Sequence, residues 1–336
     1  MTPAGARPRI ALLGTGGTIS TRSGLGALDT VDYMATGKTL HARELAAEVP
    51  ELATVADIVP VDFRAVSSTA IAFADWKALV IAMDRIVAQE RADGIVITHG
   101  TATLEETAYM LNLAAKVPVP VVLVGSQRPL GSASSDAAGN LVAAVRVAAS
   151  PQARGLGVLV CLNDEVHAAR EVSKGHTARL HAFRSQEFGI LGQVDGAAVS
   201  FYRKPLRLCA PDTEFDIRAL DALPRVDIAY SYAGEDGGVV RALVAAGAKG
   251  LVMAAFAGGR LSHASQAACR EAAEQGVAIV LSTRAGSGRA LVARDLLELG
   301  FIPADNLNPQ KARILLALGL ARGAGRSELV RMFGEY

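Results

Sequence analysis

Short, almost continuously apolar runs alternate with longer amphipathic stretches along this chain. The apolar runs cover residues 10–13, 94–98, 119–124, 157–162, 226–232, 250–256 and 277–282. Helical patterns follow at residues 104–115, 137–149, 238–246 and 265–276. Continuous apolar runs are typical of strands buried on both faces, and their alternation with helices is typical of parallel sheets. The pattern predicts an α/β fold with mainly parallel sheets flanked by helices.

The alternation breaks between residues 201 and 224, which are rich in proline and charge and have little periodicity. We therefore expect a larger N-terminal domain at 1–202, a linker at 203–224 and a smaller C-terminal domain at 225–336. Near the end of the chain, Asn308 and Pro309 predict the start of a helix, with Asn308 as its N-cap.

Composition narrows the functional classes. Of 336 residues, 51% are hydrophobic and 20% charged, and the formal net charge is +1. This balance gives no electrostatic footprint for nucleic acid or for a membrane surface. Three widely spaced cysteines form no metal-type pair, and residues 1–9 lack the pattern of a signal peptide. We expect a cytoplasmic protein.

Two hydroxyl-bearing turns end apolar runs, one at Thr18 and one at Thr101. Open α/β sheets place their chemistry at the carboxyl ends of parallel strands, so the two turns can face each other across one crevice. The pair suggests a hydrolase that uses threonine. Gly14 and Gly16 fit a dinucleotide-binding fingerprint, but Ile19 stands where its third glycine belongs. A purely structural tight turn remains the alternative.

Neighbouring polar residues each admit two interpretations. His99 could be a general base, although a histidine at a strand end more often fixes a loop. Glu105 and Glu106 could take part in catalysis, or could simply be carboxylates in the first turn of the predicted helix, where they favour the positive end of the helix dipole. Lys174 could act as a base if a crevice desolvates it, or could be an ordinary surface lysine.

Taken together, these residues resemble the bacterial-type L-asparaginase family over almost the whole chain. The matching pieces, in the order of that family, are Thr15-Gly16-Gly17-Thr18-Ile19, Thr98-His99-Gly100-Thr101, Leu104-Glu105-Glu106-Thr107-Ala108-Tyr109, Val122-Leu123-Val124-Gly125, Arg128-Pro129, Asn163-Asp164, Arg170-Glu171-Val172, Lys174 and residues 307–313. The two threonine motifs in this order are highly specific, whereas the first glycine turn alone would be weak.

The resemblance implies an amidohydrolase that converts L-asparagine to L-aspartate and ammonia through a covalent acyl-enzyme. It implies that Thr18 is the nucleophile and that a tyrosine hydroxyl activates it, for which Tyr33 is the candidate. Thr101 and Lys174 are then the second hydroxyl–base pair, which positions or activates water. An amide attacked by a weak hydroxyl nucleophile needs such a base and an oxyanion hole.

The resemblance also implies a substrate-binding serine, which is Ser68 or the adjacent Ser67. Backbone N–H groups of the two turns would hold the oxyanion. No metal and no cofactor are implied. The family assembles as homotetramers built from pairs of dimers, with each site completed by a neighbouring subunit.

The chain departs from the family where the substrate's α-amino group would bind. Ala102 stands where the family has an aspartate, Gly258 where an asparagine often stands, and the stretch after Arg284 is short. Three functions therefore remain open: an L-asparaginase with a rebuilt pocket, the same chemistry on an amide that lacks a free α-amino group, and a non-catalytic ligand-binding relative. Loss of the aspartate is also expected to lower the pKa of Lys174.

Overall fold

The computed structural model describes residues 7–336, so residues 1–6 of the N-terminal stretch lie outside it. The chain divides into two units, the larger ending at Ala219 and the smaller beginning at Leu220. This boundary lies inside the linker expected at 203–224. Among residues 7–336, no helix is both long and apolar enough to cross a membrane.

The larger unit contains twelve strands and six α-helices within its described residues. The strands are β1 (Arg9–Gly14), β2 (Thr21–Arg22), β3 (Lys38–Thr39), β4 (Asp57–Val61), β5 (Gly94–Thr98), β6 (Val121–Val124), β7 (Val158–Leu162), β8 (Glu165–Ala168), β9 (Ser173–Lys174), β10 (Phe183–Arg184), β11 (Gly192–Asp195) and β12 (Ala198–Phe201). The helices are α1 (Tyr33–Thr36), α2 (Ala42–Glu48), α3 (Leu52–Val55), α4 (Phe73–Arg85), α5 (Leu104–Ala114) and α6 (Ala137–Ala149).

Eight of these strands form one sheet in the order β12-β11-β8-β7-β6-β5-β1-β4. Strands β4, β1, β5, β6 and β7 are parallel, and β8, β11 and β12 add antiparallel pairs at one side. Every residue of β5, β6 and β7 is buried, as their continuous apolar character predicts. Because β1 and β5 are parallel neighbours, the turns that follow them emerge at the same edge.

The first part of the expected linker packs into the larger unit. Phe215 and Ile217 are fully buried, and the Ala210 amide donates to the Asn112 carbonyl over 2.8 Å. Lys116 Nζ donates to Thr213 Oγ1 over 2.8 Å. The sequence pattern did not predict this packing, because the segment is held by scattered tertiary contacts and not by a helix or strand with a periodic pattern.

The smaller unit repeats the α/β alternation with four parallel strands in the order β13-β14-β15-β16. Its elements are β13 (Val226–Tyr230), β14 (Gly250–Ala255), β15 (Ala278–Thr283), β16 (Ile302–Pro303), α7 (Gly238–Ala245), α8 (His263–Glu274), α9 (Arg294–Glu298), α10 (Pro309–Ala321) and α11 (Arg326–Glu335). Helix α10 begins as predicted, because Asn308 caps it by accepting a hydrogen bond from the Lys311 amide.

The strand predicted at 226–232 ends two residues early and differs from the others in burial. Strand β13 lies at the edge of its sheet, and its burial is mixed, since Val226 and Ala229 are buried whereas Ile228 and Tyr230 are exposed. Its apolar run therefore does not mark burial on both faces. The two-domain α/β architecture itself is confirmed.

Candidate active site

The two threonine turns touch each other through their backbones. Gly17 has φ 90° and ψ 176°, a conformation available essentially only to glycine. A Cβ atom at Gly17 would lie 2.4 Å from the backbone nitrogen of Gly100. The Thr15 amide also donates to the Thr98 carbonyl over 3.1 Å. The turns after β1 and β5 thus form one continuous surface at the carboxyl edge of the sheet.

Thr18 carries the hydroxyl of the first turn. It opens a single turn of 3₁₀ helix at Thr18–Ser20 and is buried. Its Oγ1 lies 2.7 Å from the hydroxyl oxygen of Tyr33, and either group can donate in this hydrogen bond. The structure therefore brings together the two residues that the sequence paired as nucleophile and activator.

Tyr33 reaches Thr18 from a short excursion of the chain. Strands β2 and β3 pair in antiparallel fashion and enclose the segment that ends in α1, whose first residue is Tyr33. The Asp29 carboxylate organises this segment by accepting hydrogen bonds from Ser23 Oγ and from the amides of Val31 and Asp32. The Ser23 hydrogen bond is the main reason that the pKa of Asp29 lies below its usual value.

Thr101 and Lys174 form the second hydroxyl pair. Lys174 Nζ donates a hydrogen bond of 2.8 Å to Thr101 Oγ1. Lys174 lies on β9, which pairs with β10 in a separate two-stranded sheet. The Thr101 methyl packs against the end of β6, where a Cβ on Gly125 would lie 2.9 Å from Thr101 Cγ2. Gly125, the last residue of one of the family motifs, thus leaves room for the Thr101 methyl.

The electrostatic state of Lys174 reflects two opposing influences. Partial burial desolvates its ammonium group and lowers its pKa, whereas the charge of Glu105 raises it. Glu105 is only 7% exposed, although it lies in the first turn of α5. Glu105 therefore does more than favour the start of α5, because its charge also acts on Lys174. The net effect lowers the pKa of Lys174, so its ammonium group gives up a proton more readily than that of an exposed lysine.

His99 is buried and neutral. Burial lowers its pKa to about 4, against a partly compensating hydrogen bond to the Gly100 carbonyl. Its Nδ1 lies 2.7 Å from that carbonyl oxygen and its Nε2 lies 3.0 Å from Thr107 Oγ1, which also accepts a hydrogen bond from Trp76 Nε1. Since a carbonyl can only accept, Nδ1 carries the proton and Nε2 accepts from Thr107. His99 therefore holds the second turn through its hydrogen bonds, which is the loop-fixing role that the sequence left open beside that of a general base.

Ser68 lies against the second turn, whereas Ser67 points elsewhere. A Cβ on Gly100 would lie 2.5 Å from Ser68 Oγ, and Thr103 Oγ1 donates to the Ser68 carbonyl over 2.7 Å. Ser67 is exposed and its hydroxyl pairs with Thr69 Oγ1. Of the two serines, Ser68 is therefore the one whose side chain lies beside the second turn.

Ala102 presents an exposed methyl group between the buried Thr101 and the half-buried Thr103. Glu165 is oriented towards the β10 side, where it accepts a hydrogen bond of 3.0 Å from His181. The carboxylate whose charge acts on Lys174 is Glu105, three residues along the chain from Ala102.

Departures in the smaller unit lie after β14 and β15. Gly258 occupies a tight turn with φ 76°. The Arg284 guanidinium donates to the Ser231 carbonyl over 2.8 Å and stacks 4.8 Å from the ring centre of Phe256. Arg284 therefore connects the segments that follow β13 and β14 at the end of this sheet.

Comparison with known proteins decides the family. The model described as "Asparaginase, N-terminal" matches residues 9–207, and the "Glutaminase/Asparaginase C-terminal domain" model matches residues 225–333. The chain belongs to the asparaginase family. Both halves of the asparaginase sequence are thus present, and their matched ranges follow the two α/β units.

Individual asparaginases align along nearly the full chain. L-asparaginase 2 of Bacillus subtilis is 39% identical, with 98% of this chain and 87% of that protein aligned. Glutaminase-asparaginase of Pseudomonas fluorescens biotype A is also 39% identical, over 97% and 90%. The crystal structure of a probable cytoplasmic L-asparaginase from Campylobacter jejuni has a TM-score of 0.93 and 37% identity, covering 98% of this chain and all of that one.

Proposed function

We propose that this chain hydrolyses the side-chain amide of L-asparagine to give L-aspartate and ammonia. The amidohydrolase class follows from the family, whose relatives are named L-asparaginase or glutaminase-asparaginase. The observation that carries the proposal is the juxtaposition of two hydroxyl pairs, Thr18 with Tyr33 at 2.7 Å and Thr101 with Lys174 at 2.8 Å.

In the first half-reaction, Thr18 Oγ1 attacks the amide carbon of the substrate. Tyr33 accepts the Thr18 proton and passes its own proton to the departing nitrogen, so that ammonia leaves and an ester with Thr18 remains. Backbone N–H groups of the two turns stabilise the negative charge on the tetrahedral oxygen, which is often the largest single contribution to catalysis.

In the second half-reaction, water attacks the Thr18 ester. The amine of Lys174, acting through the Thr101 hydroxyl, accepts a proton from that water, and the Thr18 oxygen leaves with the proton of the Tyr33 hydroxyl. The Lys174 ammonium then releases its proton to solvent and Tyr33 takes one up from solvent, so both residues return to their starting states. Desolvation of Lys174 supports this role because it lowers the pKa of the ammonium group towards the working pH. Ser68 binds the carboxylate of the substrate.

A second candidate is the same chemistry on an amide that lacks a free α-amino group. The exposed methyl of Ala102 favours it, because this side chain offers no negative charge to a substrate ammonium. Burial of Glu105 beside Lys174 favours L-asparagine instead, since a carboxylate remains near the second turn. Losing one charged partner at a desolvated site costs on the order of 2–5 kcal/mol.

Ammonia release from L-asparagine and from succinamate separates the candidates. Preference of the wild type for L-asparagine would support an asparaginase with a rebuilt pocket. Preference for succinamate that Ala102→Asp reverses would support the second candidate. Silence on both substrates would contradict the proposed hydrolysis of L-asparagine and favour a non-catalytic ligand-binding relative.

We further propose a cytoplasmic homotetramer built as a pair of dimers. Three free cysteines and the likeness to the Campylobacter jejuni protein, which is named a probable cytoplasmic L-asparaginase, support the location. A Haemophilus influenzae relative is instead named as a probable periplasmic enzyme. Cell fractionation tests the compartment, and light scattering coupled to size-exclusion chromatography tests the assembly.

A further inference from the structure

Four polar side chains form a cluster between β8 and the residues that flank β10, the strand paired with the one that carries Lys174. Glu165 and His167 are two positions apart on β8, so their side chains project to the same side of the strand. Glu165 Oε2 accepts from His181 Nε2 over 3.0 Å, and His167 Nδ1 lies 3.0 Å from Ser185 Oγ. The cluster thus connects β8 to residues that come just before and just after β10 in the chain.

Inside this cluster, the histidine between serine and carboxylate is buried. His167 is 1% exposed and Ser185 is 7% exposed. When the Ser185 hydroxyl donates to Nδ1, the proton of His167 is on Nε2, which lies 3.4 Å from Glu165 Oε2. Among the described residues, His167 Nε2 has no hydrogen-bond partner, so this longer contact is a weak one. Because a buried polar group is costly to leave unpaired, the His167–Ser185 and Glu165–His181 hydrogen bonds favour keeping β8 next to the residues that flank β10.

The segment restrained in this way is the hairpin that presents Lys174. Strands β9 and β10 have two residues each, and Lys174 is paired with Phe183. Phe183 lies two positions after His181 and two before Ser185 in the chain. The Gly175 amide also donates to the Ala182 carbonyl over 2.7 Å. A two-stranded ribbon is marginally stable by itself, so such a short hairpin needs side-chain contacts to hold its position.

We propose that Glu165, His167, His181 and Ser185 are positioning residues that hold the β9–β10 hairpin so that Lys174 Nζ meets Thr101 Oγ1. We call these four residues the Lys174 clamp. The clamp touches no reacting atom and acts only through the placement of the lysine. Its effect on turnover rests on the role of Lys174 in the proposed function, whereas its effect on the hairpin does not.

Replacement of Ser185 tests the clamp. Ser185→Ala removes the hydroxyl that meets His167, and we expect kcat for L-asparagine to fall roughly 10- to 100-fold, because misplacement by about 1 Å has effects of this size. KM is expected to stay nearly unchanged. Ser185→Thr keeps the hydroxyl and should restore most of kcat. Ser200→Ala, on the outer strand β12, is the matched control and should leave kcat unaltered.

A double-mutant comparison separates positioning from general destabilisation. In a Lys174→Met background, Ser185→Ala should cause no further loss of kcat, because the clamp acts through that lysine. An equal loss in both backgrounds would overturn the proposal.

Hydrogen exchange of the Gly175 amide gives a readout that does not depend on turnover. Ser185→Ala should speed this exchange, and unchanged exchange would overturn the clamp. Faster exchange together with full activity of Lys174→Met would support the hold on the hairpin and would overturn the proposed role of Lys174 instead.

Discussion

At the scale of single residues, the hydroxyls of Thr18 and Thr101 meet two different polar side chains, which offer different proton chemistry. Tyr33 has a hydroxyl group, which can accept one hydrogen bond while donating another. Lys174 is an amine, and burial lowers its pKa, so it releases a bound proton more readily than an exposed lysine does. This difference is consistent with the proposed roles, in which Thr18 attacks the amide and Thr101 acts on water.

Substitution at the first pair should separate nucleophile from activator. We expect Thr18→Ala to lower kcat by at least roughly 1,000-fold, since no other group replaces the attacking oxygen. Tyr33→Phe should lower kcat by roughly 100-fold, the usual contribution of a proton-transfer group. Steady-state ammonia release measures both. Full activity of Thr18→Ala would refute the nucleophile assignment.

The second pair predicts a pH profile that Glu105 controls. Lys174 must be neutral to accept a proton, so kcat should rise as the pH increases through its lowered pKa. Glu105 stabilises the ammonium form, and therefore Glu105→Gln should move this rise to lower pH. Rates of L-asparagine hydrolysis across pH test the shift. Glu106→Gln removes a charge from the same helical turn and should move the rise less.

At the scale of elements, the contact between the two turns depends on the absence of a side chain at Gly17. Gly17→Ala would combine an unfavourable backbone conformation with a clash against the Gly100 backbone. We expect a loss of about 2 kcal/mol or more in unfolding free energy, together with loss of activity.

Gly155→Ala is the control for the Gly17 experiment. Gly155 also has a positive φ of 72°, but a Cβ there would meet nothing within 4 Å. This variant carries the backbone strain without the clash, so urea unfolding and turnover should show a smaller loss of stability and normal activity. Equal losses in both variants would contradict the importance of the turn–turn contact.

Local signals predicted most elements because they depend on local chemistry. The buried strands β5 and β7, the amphipathic helix α6 and the cap at Asn308 were all legible in the sequence. The exposed side of β13 was not, since hydrophobicity alone does not say whether a strand lies at the edge of its sheet. The short hairpin β9–β10 was also missed, because each strand has only two residues.

At the scale of the whole molecule, the buried His99 makes folding sensitive to acid. Its pKa is about 4 in the folded chain and 6.5 when unperturbed, so the unfolded chain binds more protons between these values. Stability should therefore be greatest above pH 6.5 and should fall by about 3 kcal/mol as the pH drops through 4, from this group alone.

Urea unfolding at a series of pH values checks this dependence. His99→Gln keeps a neutral acceptor but removes the titrating ring, so its stability should vary less over the same interval. An identical pH dependence in the variant and the wild type would assign the acid sensitivity to other groups.

The sequence by itself determined the α/β alternation and the family, and it proposed the reactive side chains, because periodicity and motif order are properties of residues near one another in the chain. Only the tertiary structure decided which of these side chains meet. The Thr101–Lys174 bond spans 73 positions, and the neutrality of His99 comes from complete burial. Distances across a sheet edge and the exclusion of water arise when distant segments pack, so local sequence carries no signal for them.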